Sequence, residues 1–187
     1  PDIATDDGQE KIARFFAIPA NVDVSNTLMA MMEDIRHQDS VHHFVPNMVD
    51  RIGYPMWHQT ATNDASSSLL LGSSSAVFLI PFQDEKSKRI SAYLSGVQTD
   101  GKYSYSLHTR EAIISRINKA DTQKLKEMAG FGLVLAYFEK QVNQRDTLLL
   151  PGCKLKGFSH ASINFNVPTK PLTLGEFVSV SICGEVW

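Results

Sequence analysis

The chain has 187 residues, 43 % hydrophobic and 20 % charged, which fits a folded domain with a sizeable core and excludes general disorder. A formal net charge of -2 removes any overall bias toward nucleic acid or anionic lipid. The longest apolar run, Met128–Phe138, contains Gly130 and Gly132 and falls short of the roughly 18 residues that span a bilayer, so no transmembrane segment is expected.

Residues 1–9 are polar and acidic and read as a disordered lead-in to a single domain over 10–187. That domain can be subdivided into a helical region, 10–59, and a sheet with two helices, 60–187. Glu10–Ala17 predicts a short helix with Ile12, Phe15 and Phe16 on one side, ended by Ile18-Pro19. Ser25 suits the N-cap of an amphipathic helix whose stripe is Leu28, Met31, Met32 and Ile35. A break near Gln38–Ser40 leads to a second helix, with Phe44, Met48 and Ile52 on one face and Gly53 closing it. Pro46 either kinks this helix or, if the helix begins near Val45, sits in its first turn. The two helices form an αα-hairpin.

Tyr54–Gln59 is a short aromatic segment, and Thr60–Ser75 a long polar loop with Leu69–Leu71 as an apolar plug or short strand. A meander follows. Ala76–Phe82 predicts a central strand, with Pro81 marking an edge or termination. Arg89–Val97 and Lys102–His108 form a hairpin around Thr99-Asp100-Gly101. Both hairpin strands have one apolar and one serine-rich face, the pattern of a sheet covered on one side. Thr109 caps a helix with Ile113, Ile114 and Ile117 inward. Asp121 caps a longer one, roughly Thr122–Asn143, apolar almost all round its centre. Ser162–Val167 and Phe177–Trp187 alternate again and either extend the first sheet or form a second, small one. The expected fold is α+β: an antiparallel sheet of about five strands packed against helices on one face, with an N-terminal αα-hairpin.

Few residues assemble into a chemical motif. Asp39, His42 and His43 could meet a metal, but neighbouring helical side chains point apart. No paired histidine or cysteine spacing of a metal site occurs, so neither metal nor cofactor is expected. Cys153 lies near Lys154 and Lys156, which favour a thiolate, and His160 follows, giving one candidate Cys/His catalytic pair. His58 with Asp64 is a second catalytic candidate. Neither matches a hydrolase signature, and the reading leans away from an enzyme. Cys153 and Cys183 could instead pair, a disulfide worth roughly 3 kcal/mol by loop closure.

The candidate binding residues are Tyr54, Trp57 and His58, because loop aromatics anchor protein or carbohydrate partners. The competing role for Trp57 is to plug the end of the core. Lys86, Lys88 and Arg89 make a basic cluster too small for nucleic acid, and Tyr103 and Tyr105 share the face of Leu107 and belong with the core. Function therefore reads first as a non-catalytic recognition or accessory module. Its expected setting is a longer exported protein, whether secreted, periplasmic or at the cell surface. The chain opens with Pro1, from which an upstream segment is expected. The alternatives are a hydrolase and an assembly domain that oligomerises through a sheet edge at Ser162–Val167 or Phe177–Trp187.

Overall fold

The computed structural model describes residues 3–62, 76–99, 101–119, 122–144, 147–150, 161–165, 180–182 and 185–186, with side chains over 7–62, 77–99, 101–116 and 130–144. Helix α1 spans Ile3–Phe15. It thus takes up most of the segment expected to be a disordered lead-in. The ammonium of Lys11 explains part of this. It pairs with Asp7 one turn earlier (2.8 Å) and with Asp50 on a later helix (2.7 Å), so the acidic start is tied into the fold.

Helix α2 spans Asn26–His42, and Ser25 caps it by accepting the Leu28 amide at 3.2 Å. Its buried stripe is the predicted Leu28, Met31, Met32 and Ile35. The helix runs past the expected break, to His43, which takes a left-handed conformation (φ 51°). The buried Asp39 carboxylate then accepts the Val45 amide at 2.8 Å and starts α3, Val45–Ile52, with Pro46 in its first turn. Gly53 ends α3 at φ +81°, packed so closely on the Gln83 carbonyl that a β-carbon would overlap it.

Strands β1 (Tyr54–Pro55), β2 (Ala61–Thr62), β3 (Ala76–Gln83), β4 (Ile90–Thr99) and β5 (Lys102–Thr109) form an antiparallel sheet. Its order is β1-β3-β4-β5, with β2 also on β3. A 3₁₀ turn, Trp57–Gln59, separates β1 from β2. Pro81 falls opposite that interruption, where a missing N–H costs no ladder bond, and its carbonyl still accepts the Met56 amide at 2.8 Å. Pro81 therefore sits inside the sheet rather than at its end.

Helices α1–α3 cover the face that carries Phe78, Ile80, Phe82, Ala92 and Leu94. Tyr103 and Tyr105 pack onto this core, as their shared face with Leu107 predicts. On the opposite face the Tyr93 and His108 rings stack 4.7 Å apart. Helix α4 (Arg110–Lys119) continues directly from β5, and α5 (Thr122–Asn143) follows. Phe131 of α5 lies 5.0 Å from the His108 ring, so this face also meets a helix. The centre of α5 buries Leu133, Leu135, Ala136, Tyr137, Phe138 and Glu139, as its all-round apolar pattern predicts.

The last strands, β6 (Thr147–Leu150), β7 (Ala161–Phe165), β8 (Val180–Ile182) and β9 (Glu185–Val186), form a second antiparallel sheet in chain order. The fold is α+β. The expected Leu69–Leu71 plug lies outside the described residues. No described helix is long and apolar enough to cross a membrane.

Candidate functional site

Three chain segments converge on one rim of the first sheet: the end of α3, the β3–β4 turn, and the junction of β5 with α4. Between them opens a cleft of about 720 Å³. Arg51 comes from α3, Arg89 from the turn and Arg110 from the first turn of α4. Ser87, Ser91, Thr109 and Ser115 contribute hydroxyls, and Asp84 and Glu111 contribute carboxylates.

The turn is held by its own hydrogen bonds. The Asp84 carboxylate accepts the Ser87 amide at 2.7 Å, and Asp84 and Arg89 pair through an amide and carbonyl at 2.9 Å. Hydrogen bonds from Ser87 keep the Asp84 carboxyl below its ordinary 3.8, so it stays ionised as the brace of this turn. Across the cleft the Ser91 hydroxyl donates to the Ile52 carbonyl and also reaches the Phe82 carbonyl at 3.2 Å, which fixes the end of α3 against the sheet.

Arg110 is oriented from behind. Its Nε donates to the Ile90 carbonyl at 2.7 Å, and its guanidinium pairs with the buried Glu139 carboxylate. Glu139 also accepts the Ile90 amide (3.0 Å) and the Asn143 side-chain amide (2.8 Å). Asn143 accepts in turn from Gln83 at 3.0 Å. This polar network joins β3, β4, α4 and α5 behind the cleft. Arg14, Arg36 and Arg110 each have a carboxylate partner. Arg51 and Arg89 are exposed and form no ion pair among the described residues. Two guanidinium groups with open fork geometry beside hydroxyl donors suit a carboxylate or phosphate.

The residues singled out from sequence fall elsewhere. Trp57 is only 2 % exposed, and its indole N–H donates to the Phe15 carbonyl at 2.6 Å. Its ring packs against Phe15 and Phe16, so Trp57 is the core plug and offers no face to a ligand. Tyr54 is half-buried beneath the Arg14 guanidinium, 4.0 Å from the ring centre, and His58 is exposed. Cys153, Cys183, His160 and Asp64 lie outside the described residues. Asp39 is engaged with the Val45 amide, while His42 and His43 are exposed.

A serine–histidine contact also occurs, Ser95 Oγ to His108 Nε2 at 3.1 Å. Burial is the main reason the His108 ring holds its proton less tightly than usual, with Arg116 adding to it. That ring is packed between Tyr93 and Phe131, and neither Ser95 nor His108 lines the cleft.

Arg51, Arg110 and Glu139 escaped the sequence reading because only folding brings positions so far apart together. Of the basic cluster Lys86, Lys88 and Arg89 legible in the sequence, Arg89 lines the cleft. No family model, curated protein or solved structure matches the chain.

Proposed function

We propose that this chain is a non-catalytic recognition module that binds an anionic group, a carboxylate or phosphate, in the cleft between Arg51 and Arg89. The observation that carries the reading is the contrast among the arginines. Arg14 and Arg36, outside the cleft, are paired with carboxylates, whereas Arg51 and Arg89 line it exposed and form no ion pair among the described residues, although Asp84 and Glu111 share its walls; Arg116, also without an ion pair, lies outside it. Among the described residues the lining has no histidine or cysteine beside the hydroxyls, and the Asp84 carboxylate is taken up by the Ser87 amide. The setting belongs to the same proposal: an accessory module of a longer exported or cell-surface protein, with a protein partner supplying the anion. A disulfide between Cys153 and Cys183 would fit that setting, and intact mass before and after thiol alkylation tests their pairing.

Amide chemical shifts followed during titration with inorganic phosphate, against chloride at matched ionic strength, test the site. Saturable shifts at Ser87–Ser91 and Thr109–Ser115 that disappear in Arg89→Ala are expected. Their absence in the wild-type chain, or their persistence in Arg89→Ala, would refute the reading.

A further inference from the structure

The cleft does not end at Arg51 and Ile52. Both also line a smaller hollow of about 190 Å³, whose other walls are Phe44, Asn47 and Met48 from the α3 side and Leu107 from β5. Leu107 lies on the apolar face of its strand, opposite Leu94, yet it is 41 % exposed. Its strand is the last of the sheet: β5 pairs with β4, and no described strand pairs with its other side. An apolar hollow, a cationic cleft and an open sheet edge therefore meet at Arg51, Leu107 and Thr109.

We infer that these three features form one docking groove for an extended peptide segment of a partner protein, which places an acidic side chain between Arg51 and Arg89 and a bulky apolar side chain in the Leu107 hollow. The inference rests on the anion-binding reading above and gives the anion its source. Size argues for a peptide side chain. A cavity of about 150 Å³ accommodates a benzene ring, so this hollow suits one aromatic or branched side chain and is too small for a long acyl chain. The edge argues the same way. The outward backbone groups of β5 can hydrogen-bond another strand, and a lipid or a free ion lacks the alternating row of donors and acceptors that would match them. Charge complementarity then selects an acidic residue one to three positions from the apolar one, since Arg51 borders both cavities.

The test uses fluorescein-labelled, capped peptides of threonine and valine carrying one glutamate one, two or three residues before one phenylalanine, read by fluorescence anisotropy. At least one spacing is expected to bind saturably and to slow amide exchange along Lys102–Thr109. Replacing the peptide's phenylalanine with serine, or Leu107→Ser in the protein, weakens that binding about tenfold to a hundredfold. Leu107→Ser leaves the phosphate response of the cleft unchanged, whereas Arg89→Ala weakens both peptide and phosphate. No binding at any spacing overturns the inference, as does an affinity indifferent to Leu107→Ser. Displacement of the peptide by laurate at lower concentration assigns the hollow to an acyl chain and overturns it too. A dimer in sedimentation that Leu107→Ser dissociates assigns the groove to a second copy of the chain, with the same consequence. In each of these cases an intact phosphate response leaves the anion reading standing; loss of that response in the wild-type chain removes both.

Discussion

Glu139→Ala isolates the network behind the cleft. The Glu139 side chain is 3 % exposed and that of Arg110 17 %, so the pair is largely shielded from water. Alanine removes the acceptor of three donors at once: the Arg110 guanidinium, the Ile90 amide and the Asn143 side-chain amide. Breaking a buried ion pair by deleting one partner costs about 3–5 kcal/mol, because the other charge is left desolvated and alone. For a chain of this size each kcal/mol lowers the melting temperature by about 2–4 °C. The expected drop is therefore about 6–20 °C, combining the two ranges.

Differential scanning calorimetry measures the drop, and a double-mutant cycle with Arg110→Ala measures the coupling. Replacing both partners, Arg110→Met with Glu139→Leu, is expected to recover the part of the loss due to the stranded charge but not the part due to the Ile90 and Asn143 donors, which still lack their acceptor. A fall of less than about 2 °C for Glu139→Ala, or additivity in the cycle, would refute the argument that this pair fastens α4 and α5 to the sheet.

Gly53→Ala is expected to lose at least about 1–3 kcal/mol in urea unfolding, because φ +81° is a glycine conformation and the β-carbon meets the Gln83 carbonyl; an unchanged midpoint would contradict the tight approach of α3 to β3. Trp57→Phe keeps most of the packing but leaves the Phe15 carbonyl without its indole donor, for a loss of about 1–3 kcal/mol. A wild-type emission maximum typical of a solvated indole at Trp57 would argue against the burial on which that figure rests. His108 binds its proton less tightly when folded than its ordinary 6.5, so the unfolded chain takes up the proton first as pH falls. Stability should then decline as pH drops below about 6.5 toward the folded value, and His108→Phe should flatten that slope. Equal slopes for the two proteins would rule out His108 as the source.

Local signals were legible wherever short-range physics decides. The Leu28–Ile35 stripe, the hairpin that pairs Thr99 with Lys102 through Gly101 at φ +75°, and the Pro46 start of α3 follow from periodicity, turn chemistry and proline geometry. The beginning of α1 did not. Its acidic residues look solvated until Lys11 is placed between Asp7 and Asp50, a contact spanning two helices. Trp57 was ambiguous for the same reason, since its indole acceptor is on Phe15, in an element far away in sequence. The cleft was the least legible feature. Its cations come one each from a helix end, a turn and a helix start, and nothing in their spacing marks them as neighbours.

Among those cations Arg51 has a structural reason to be where it is. It stands in the last turn of α3, where a positive charge meets the negative end of the helix dipole. Arg110 likewise has Glu139 and the Ile90 carbonyl. The Arg89 side chain has no such partner among the described residues. Its turn is braced through Asp84, Ser87 and the Arg89 backbone, all of which survive truncation of the side chain. Arg89→Ala should therefore leave the melting temperature where it was while removing a charge from the cleft wall. That separation makes Arg89 the position at which a loss of anion binding can be attributed to recognition and not to unfolding.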